Sequence, residues 1–529
     1  RHKANASYEF AIDSFQSIKA TANGSRTENE TNSTYYNETL TPKGLYINQS
    51  DRATSNNSIT NNFNASALWK KKFKKKGRTL SINFSENNND VNSSGFLLNY
   101  NRFYSSGQIT KRDTTDQKKV NNSSLIDINS KIVYTEPINK RSLIEVDYAY
   151  SFADNKSKRL SYNKLNEKYE QQDNNFSNDY NFNVQTHTAG ISYRYNNKKM
   201  NFGLGSQIAQ SNWIQDDLFK NITRKYNFTN FFPKANLSYK TSQYGRISFN
   251  YLGITKAPTL NQIQPVADNT DPLNIFIGNA DLKQSFHHTF NFTLNDYKVL
   301  SERSIWFNIN FNLIHNDFGT FDKIDNLGRK TYQIVNINGN YNSYANLYYY
   351  FKWKKPDIRL GFNISSNINK NNNYVNGIAN TNNSQTISMG PAINKDVDKK
   401  YSISLNSNWG YNTSKSSIQA GTVTKYWTSH TELNGTAYLP WQIELSTDIN
   451  YDWREKTTLF NNNNVLLWNA SLEKKIFKKK DIITVLGKGG GSLTVEATLN
   501  FLPVLKTMSA ETQQEFVTLA KQSTVSGKI

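Results

Sequence analysis

Histidine is the residue type in this chain best suited to metal or acid–base chemistry, but the spacing of its histidines supports neither. The six are His2, His187, His287, His288, His315 and His430. No HExxH pair or other metal-ligand spacing occurs among them. His287 and His288 are adjacent, so on a strand they would face opposite sides and could not share a metal ion. We therefore predict no metal site.

Other arrangements that support catalysis are also missing from the sequence. There are no cysteines, which excludes disulfides, thiolate metal sites and cysteine nucleophiles. The stretch Gly487–Ser492, GKGGGS, lacks the first glycine of a phosphate-binding loop and the Ser or Thr after its lysine, and no GxSxG elbow is present. Asp448 and Asp452 could form a carboxylate pair, but carboxylates that line a wet pore are expected without catalysis. We predict that the protein is not an enzyme and uses no cofactor.

Ligand recognition is the remaining chemistry that these side chains could perform. Sugars and aromatic ligands are held by aromatic rings with amide or carboxylate groups beside them. Such residues near the predicted loop-side strand ends include Tyr226 and Phe276, and we predict ligand binding by Trp213, Asp268, Asn269, Asp271, Trp409, Trp427 and Trp453. The alternative is that the tryptophans form an outer aromatic girdle and that the three loop residues have a structural role.

Strands must position these residues, because apolar and polar side chains alternate along most of the chain. In Arg303–Leu313 the odd-numbered positions from Ile305 onward are apolar, and the even-numbered ones from Trp306 onward are Trp or Asn. Successive side chains of a strand point to opposite faces, so this segment has one oily face and one amide-rich face. The segment Trp441–Trp453 repeats the pattern with carboxylates on its polar face. Burying these unpaired would cost several kcal/mol each, so the polar face must be wet.

A wet face opposite an oily face is typical of a membrane β-barrel, where only alternate residues meet lipid. The chain has 529 residues, of which 36% are hydrophobic, and its mean hydropathy is −0.72. No run approaches the roughly 18 apolar residues of a membrane-spanning helix. Its 31 Tyr, 30 Phe and 9 Trp are too many for a disordered chain. We predict an all-β fold, a large antiparallel transmembrane β-barrel of about 20 to 22 strands, with a soluble all-β adhesin as the alternative.

The positive charge lies mainly in short segments between strands. The net charge is +21, which could indicate nucleic-acid binding. The lysines, however, occur in predicted short periplasmic turns, namely Lys70–Arg78, Glu136–Arg141, Asn196–Lys199, Ser242–Arg246, Lys354–Asp357, Asp396–Lys400 and Lys478–Asp481. We therefore predict contact with outer-membrane lipids and lipopolysaccharide, and no nucleic-acid partner.

Longer polar segments alternate with these turns. They are rich in Asn, Ser, Thr and Asp and include Ser105–Asn122, Phe152–Tyr180, Lys256–Ser285, Phe318–Thr331 and Asn369–Gln385. Outer-membrane barrels have short periplasmic turns and longer external loops. We predict that these five segments are long extracellular loops.

The segment Gly253–Lys283, GITKAPTLNQIQPVADNTDPLNIFIGNADLK, resembles an extracellular-side motif of TonB-dependent receptor barrels, in the outer-membrane β-barrel family common in Bacteroidota. The matching residues are Lys256, Pro258, Gln262, Ile263, Pro265, Asn269, Asp271, Pro272, Gly278, Asn279, Leu282 and Lys283. Lys256 replaces the usual Arg, and Ala280 and Gln284 stand where Pro is common. The strand Val465–Phe477 also resembles a late strand of the family. The resemblance covers roughly Ala4–Asp481 and marks the fold rather than the substrate.

The resemblance implies a barrel of about 22 strands, a globular plug in its lumen, and energy supplied by TonB. No plug or TonB box is recognisable in this sequence, so either they lie upstream of Arg1 or this member has lost them. The implied function is uptake of a bulky nutrient (siderophore, glycan or peptide) at the bacterial cell outer membrane. The alternative is a structural subunit of an outer-membrane complex for secretion, insertion or lipoprotein display, with a surface lipoprotein or other complex subunits as partners.

The composition changes near the end of the chain. Beyond Lys480 the Asn and Tyr content falls, and the apolar segments Ile482–Leu486 and Leu493–Leu502 flank the glycine-rich stretch. We predict a barrel over residues 1–481, a closing hairpin or a junction over 482–502, and a helical or irregular tail over 503–529, in which Ser509 would be the helix N-cap.

Overall fold

The computed structural model describes residues 1–41, 43–421, 423–457, 461–476, 481–489 and 493–500. In this part of the chain, one sheet contains 26 strands. The strands and the single α-helix are β1 (His2–Ala11), β2 (Gln16–Leu40), β3 (Tyr46–Lys72), β4 (Thr79–Ser105), β5 (Gln108–Pro137), β6 (Ser142–Leu165), β7 (Lys168–Gln172), β8 (Asn178–Asn196), β9 (Met200–Asp217), β10 (Ile222–Lys240), β11 (Arg246–Lys256), α1 (Leu260–Ile263), β12 (Ala267–Asp268), β13 (Asn274–Ile277), β14 (Ser285–Lys298), β15 (Arg303–His315), β16 (Asp317–Ile324), β17 (Lys330–Ile337), β18 (Asn340–Trp353), β19 (Ile358–Val375), β20 (Ile378–Val397), β21 (Tyr401–Ser416), β22 (Val423–Leu439), β23 (Ile443–Arg454), β24 (Asn463–Ile476), β25 (Asp481–Gly489) and β26 (Leu493–Asn500).

The wall of the barrel is an antiparallel meander. Each wall strand pairs with the next, except that β6 pairs with β8, β11 with β14, and β15 with β18, across connections that contain the short strands. Those short strands add two parallel pairings, β13 with β17 and β16 with β19. In the described part of the chain, β1 pairs only with β2 and β26 only with β25. The pairing pattern confirms the predicted large antiparallel barrel.

The two faces of the wall have the predicted opposite character. Ile208 and Phe231 are directly paired on β9 and β10, and each is 57% exposed on the outer face. The neighbouring residues of opposite parity on β9, among them Ser211 and Gln215, are buried on the inner face. An apolar outer face and a polar inner face are what a barrel in lipid requires. No helix in the described ranges is long and apolar enough to cross a membrane.

Six of the seven predicted short basic turns join consecutive wall strands at one end of the barrel. Lys70–Arg78 contains the connection from β3 to β4, and Lys354–Asp357 contains the one from β18 to β19. The turns at Glu136–Arg141, Asn196–Lys199, Ser242–Arg246 and Asp396–Lys400 have the same position between consecutive strands. The seventh, Lys478–Asp481, lies outside the described residues except for Asp481. This end of the barrel is the periplasmic one.

Two of the predicted long loops are wrong, and a third is mostly strand. Ser105–Asn122 and Asn369–Gln385 are the tips of long hairpins with only two residues in each turn, Ser106–Gly107 and Asn376–Gly377. All four turn residues have positive φ, between 49° and 83°, as a type I′ turn requires. In Phe152–Tyr180, β6 continues to Leu165 and β7 follows. Polar side chains do not end a strand where cross-strand backbone bonds continue, which is why composition alone misassigned these segments.

The first strands are much longer than a membrane requires. β2 to β6 contain between 24 and 30 residues each, whereas about 9 to 11 residues cross the bilayer. At roughly 3.3 Å per residue, the surplus amounts to roughly 50 Å of strand. Near its tip, from Thr110 to Lys119, β5 is polar on both faces, so this part of the wall projects beyond the membrane.

The predicted division of the chain stays a prediction. β25 and β26 form an antiparallel hairpin in which Ile482 faces Asn500. The residues between them, 490–492, and the predicted tail, 503–529 with its expected cap Ser509, lie outside the described residues.

Candidate functional site: the inner loop at the extracellular mouth

The connection from β11 to β14, residues Ala257–Gln284, folds against the wall and is called here the inner loop. It contains α1, β12 and β13. α1 begins with a capping box, in which the Thr259 side chain accepts from the backbone of Gln262 and the Gln262 side chain accepts from the backbone N–H of Thr259 (2.8 Å). The loop is therefore an ordered element with its own hydrogen bonds. As predicted, Lys256–Ser285 contains a long connection between wall strands, and this connection is folded inward.

The wall residues that contact the inner loop all lie on the inner face. On β5 these are Gln117 and Lys119, and on β6 they are Ser157 and Arg159. The strand register shows which face these residues share. Gln117 is paired with Leu97 and Lys119 with Gly95. Leu97 and Gly95 flank Phe96, which is exposed on the outer face, so their side of the sheet is the inner face. The inner loop therefore lies in the extracellular half of the lumen.

A second connection, residues Asn316–Gly339, crosses the mouth and is called here the crossing hairpin. It consists of β16, β17 and a tip near Leu327. Asn48 of β3 donates from Nδ2 to the Leu327 carbonyl (2.8 Å), although β3 is far from β15 in the order of the wall. Asn279 of the inner loop donates from Nδ2 to the Ile334 carbonyl (2.9 Å), and the backbone N–H of Lys330 donates to the Leu273 carbonyl (2.7 Å). Together the two connections form one layer across the mouth.

An apolar cluster fixes the inner loop to the wall. Its buried members are Tyr180, Phe182 and Trp213 from the wall and Ile263 and Leu282 from the loop. Trp213 is 1% exposed, and its ring lies 5.4 Å from that of Phe182 and 4.6 Å from that of Phe228. The structure thus places Trp213 beneath the loop, where its ring faces are covered. Its predicted ligand contact would require the loop to move.

The three polar loop residues predicted as ligand contacts hold the loop in place. Asp271 forms an ion pair with Arg52 (2.9 Å), whose side chain is 11% exposed. Asn269 donates from Nδ2 to Gln117 Oε1 (3.0 Å) and accepts from Lys119 Nζ. The carboxyl of Asp268 accepts from the backbone N–H (2.9 Å) and the hydroxyl (2.6 Å) of Thr270. These contacts support the structural role that the sequence left open, and ligand binding by the three residues stays a prediction.

The other three predicted tryptophans lie on the outer face, away from the loop. Trp409 is paired with Met389, which is 59% exposed on the outer face. The Trp409 and Trp453 rings are 6.2 Å apart, and Trp427 lies 5.0 Å from the ring of Tyr411. This arrangement fits the outer aromatic girdle. The structure therefore divides the seven predicted residues among the loop, the wall beneath it and the outer surface.

Two cations on the inner face were missed by the sequence interpretation. The guanidinium of Arg159 lies 4.0 Å from Asp268 and donates to Asn261 Oδ1. Lys119 Nζ donates to Ser161 Oγ (3.1 Å) and Asn269, and no carboxylate of the described residues lies within ion-pair distance of it. The alternation of side chains along the strands could have identified both cations, because the odd-numbered residues of β5 and β6 face the lumen. Lys119 was overlooked because its segment was interpreted as a loop.

Burial and charge shift the pKa values at this site. The pKa of Lys119 is lowered to about 8, mainly by burial and to a smaller extent by the charge of Arg159, while Asp268 and Asp173 act in the opposite direction. Burial also lowers the pKa of the Arg159 guanidinium. Burial raises the pKa of Asp268, but hydrogen bonds from Thr270 and the two cations outweigh burial and hold it below its ordinary value. Burial therefore disfavours the charged forms of both cations, while Asp268 keeps its negative charge.

Elsewhere one row of the lumen wall consists of uncharged polar side chains. Asn312, Asn342, Asn369 and Ser384 are paired in one row across β15, β18, β19 and β20. His430 on β22 forms an exposed pair with Asp452 (2.7 Å), which leaves a single imidazole beside one carboxylate. Among the described residues no group of three or more His, Asp or Glu side chains could hold a metal ion.

Comparison with known proteins assigns the chain to a family. The family model described as "Outer membrane protein beta-barrel family" matches residues 71–389, which is more than half of the chain. The chain belongs to the outer membrane protein beta-barrel family. This confirms the predicted location in the bacterial outer membrane and the barrel fold. No curated protein matches the chain.

Solved structures with a similar chain path include three transport proteins. The siderophore receptor PirA from Acinetobacter baumannii is 11% identical, with a TM-score of 0.38, 85% of this chain and 75% of that chain covered. The copper transporter OprC is 8% identical, with a TM-score of 0.42 and coverage of 85% and 72%. The FrpB iron transporter from Neisseria meningitidis is 8% identical, with a TM-score of 0.38 and coverage of 85% and 76%. At these TM-scores the likeness supports no inference about ligand or mechanism.

Proposed function

We propose that this outer-membrane barrel is a receptor that takes up a bulky hydrophilic nutrient, with TonB supplying the energy. The observation that carries the proposal is the layer across the mouth, which is built from the barrel's own connections and encloses polar wall residues. A pore for free diffusion would keep this region open, whereas a receptor holds its ligand at a closed mouth and opens on the opposite side after energy input.

The contacts of the inner loop support a movable element rather than a permanent seal. Besides the apolar cluster, the loop is held by the Arg52–Asp271 ion pair and by separate side-chain hydrogen bonds such as that from Asn269 to Gln117. Each such hydrogen bond contributes about 0.5–1.5 kcal/mol, so ligand binding and energy input would release the loop contact by contact. The ligand would bind beside the loop, and loop release would allow its passage through the amide-lined lumen.

The test compares uptake in cells that contain or lack the protein. Growth on limiting siderophore-bound iron, oligosaccharides or peptides would be measured with TonB present and with TonB deleted. We expect growth on one nutrient class to be lost in the strain that lacks this protein and, to the same extent, in the strain that lacks TonB. Equal growth of all strains on all three classes would refute receptor function.

A structural role in a larger complex is the second candidate, and the projecting wall favours it. β2 to β6 contain roughly 50 Å of strand length beyond what the membrane needs, and the paired surface of this projection would hold a surface lipoprotein or another subunit. Gentle extraction from the native membrane tests this role. A partner recovered in a fixed ratio, and lost when the β4–β5 hairpin is shortened, would support it over uptake.

A further inference from the structure

A cavity lies between the inner loop and the inner face of β3 to β6. It has a volume of about 390 Å³ and is lined by Lys119, Arg159 and Asp268 together with neutral polar side chains. Those neutral side chains are Thr54, Asn56, Ser93, Asn121, Ser161 and Thr270. Apolar residues, among them Leu97, Val120 and Phe176, complete the lining. Two of the three charged groups that line the cavity are cations.

The cations of the cavity are incompletely paired. Arg159 Nε and the Asn121 side-chain oxygen are both buried and have no hydrogen-bond partner. Among the described residues, the one carboxylate in ion-pair range of the Arg159 guanidinium is Asp268, at 4.0 Å, and the hydrogen bonds of Lys119 Nζ go to a hydroxyl and an amide oxygen. A buried charge without a close counter-ion is costly, and an anion placed between two such cations would relieve the cost for both.

The size and lining of the cavity indicate what carries the anionic group. A bare phosphate or carboxylate would occupy a small part of 390 Å³. The remaining space faces hydroxyl and amide groups, which are both donors and acceptors and so match the hydroxyl groups of a sugar ring. The ring of Phe176 also lines the cavity, with Lys119 Nζ 5.3 Å from its centre.

We propose that this cavity binds an acidic saccharide, with its carboxylate or phosphate group held between Lys119 and Arg159. The proposal rests on the proposed function, since it names the ligand class of the receptor. Thr54, Asn56 and Ser93 would contact the hydroxyl groups of the sugar, and the inner loop would close over it through Thr270.

Calorimetric binding to the full chain in detergent tests the proposal. The probes are glucuronate, glucose 6-phosphate and glucose. We expect at least one acidic sugar to bind at least tenfold more tightly than glucose, and the tighter of the two identifies the acidic group. Lys119→Gln and Arg159→Gln should each weaken that binding at least tenfold. The matched control is Lys118→Gln, because Lys118 precedes Lys119 on the opposite face of β5.

A second measurement separates a direct contact from an effect on folding. An anion beside Lys119 would raise its pKa, which lies near 8 between Asp173, Asp268 and Arg159. Binding at about pH 8.5 should therefore take up protons, visible as a binding heat that depends on the buffer, and Lys119→Gln should abolish this dependence.

Three outcomes would overturn the proposal: equal affinity for glucose and both acidic sugars, no binding of any of the three sugars, or undiminished binding by a folded Lys119→Gln variant. The result is independent of transport. A barrel that binds glucuronate but supports no uptake would contradict the proposed function alone, and uptake of a neutral nutrient would contradict the acidic ligand alone.

Discussion

Ile263 provides the sharpest test of how the inner loop is held. Its side chain is fully buried between wall and loop residues of the apolar cluster. Replacing a buried Ile by Ala removes about 2–5 kcal/mol, which includes the cost of the cavity that remains. Because the change lies in the loop, we expect Ile263→Ala to reduce loop docking and to leave the barrel wall intact. At about 1.4 kcal/mol per factor of ten, the docked population falls roughly 30-fold to several-thousand-fold relative to the open one.

Hydrogen exchange measures this change at the backbone amide of Lys330, which donates to the Leu273 carbonyl of the loop (2.7 Å). This amide should exchange faster in Ile263→Ala by the factor above, or reach the rate of an open loop. Ile378→Ala is the control, because Ile378 is 63% exposed at a hairpin tip. Exchange within threefold of the parent protein would show that the cluster does not hold the loop.

Three further predictions concern pH, lipid contact and backbone packing. The pKa of Lys119 is about 8 when the loop is docked and rises toward 10.5 when the loop opens. Between pH 8 and pH 10.5 the open state therefore binds more protons than the docked state. Because of this difference, the free energy of docking becomes more favourable by about 1–3 kcal/mol as the pH rises through this range. Proteolysis of the loop should therefore slow between about pH 7.5 and 9.5 relative to Lys119→Met, and a parallel response of both proteins would contradict this. Trp409 should be quenched by brominated phospholipids and Trp213 should not, in variants that retain one tryptophan; quenching of both would place Trp213 outside the lumen. Gly278→Ala should release the loop, because a Cβ there would lie 1.8 Å from the Gln264 carbonyl oxygen, while Gly421→Ala, with open space around it, should not; equal hydrogen exchange of the two variants would refute this contact.

The barrel could be predicted from the sequence because alternation depends on single strands. The segment Arg303–Leu313 shows its two faces without reference to any neighbour, and the structure pairs its apolar residues with those of β14, such as Phe311 with Phe290. Strand length was harder to predict. The Asn–Gly step at 376–377, between alternating residues, is a strong signal for a tight hairpin, but the amide-rich composition around it was given more weight. Where a strand projects into water, its polar residues no longer distinguish strand from loop.

The candidate site could be predicted only in part, because it depends on which surfaces meet. Asp268, Asn269 and Asp271 were recognised as residues of one loop, but their partners lie far away in sequence, on β3, β5 and β6. No local pattern connects Asp271 with Arg52. The inward fold of the loop was also beyond the sequence pattern, since an outward loop would have the same composition.

The family motif and the proposed ligand contacts occupy different parts of the chain, and this has a consequence for specificity. Ile263 and Leu282 of the motif are buried in the apolar cluster, Asn279 joins the loop to the crossing hairpin, and Gly278 allows a close backbone contact. These residues fix the fold of the loop and leave few side chains free for a ligand. The cations of the cavity lie on β5 and β6, outside the motif. Barrels with the same loop motif can therefore differ in ligand through the wall residues beneath it, and a search for ligand specificity should begin with the inner faces of β3 to β6.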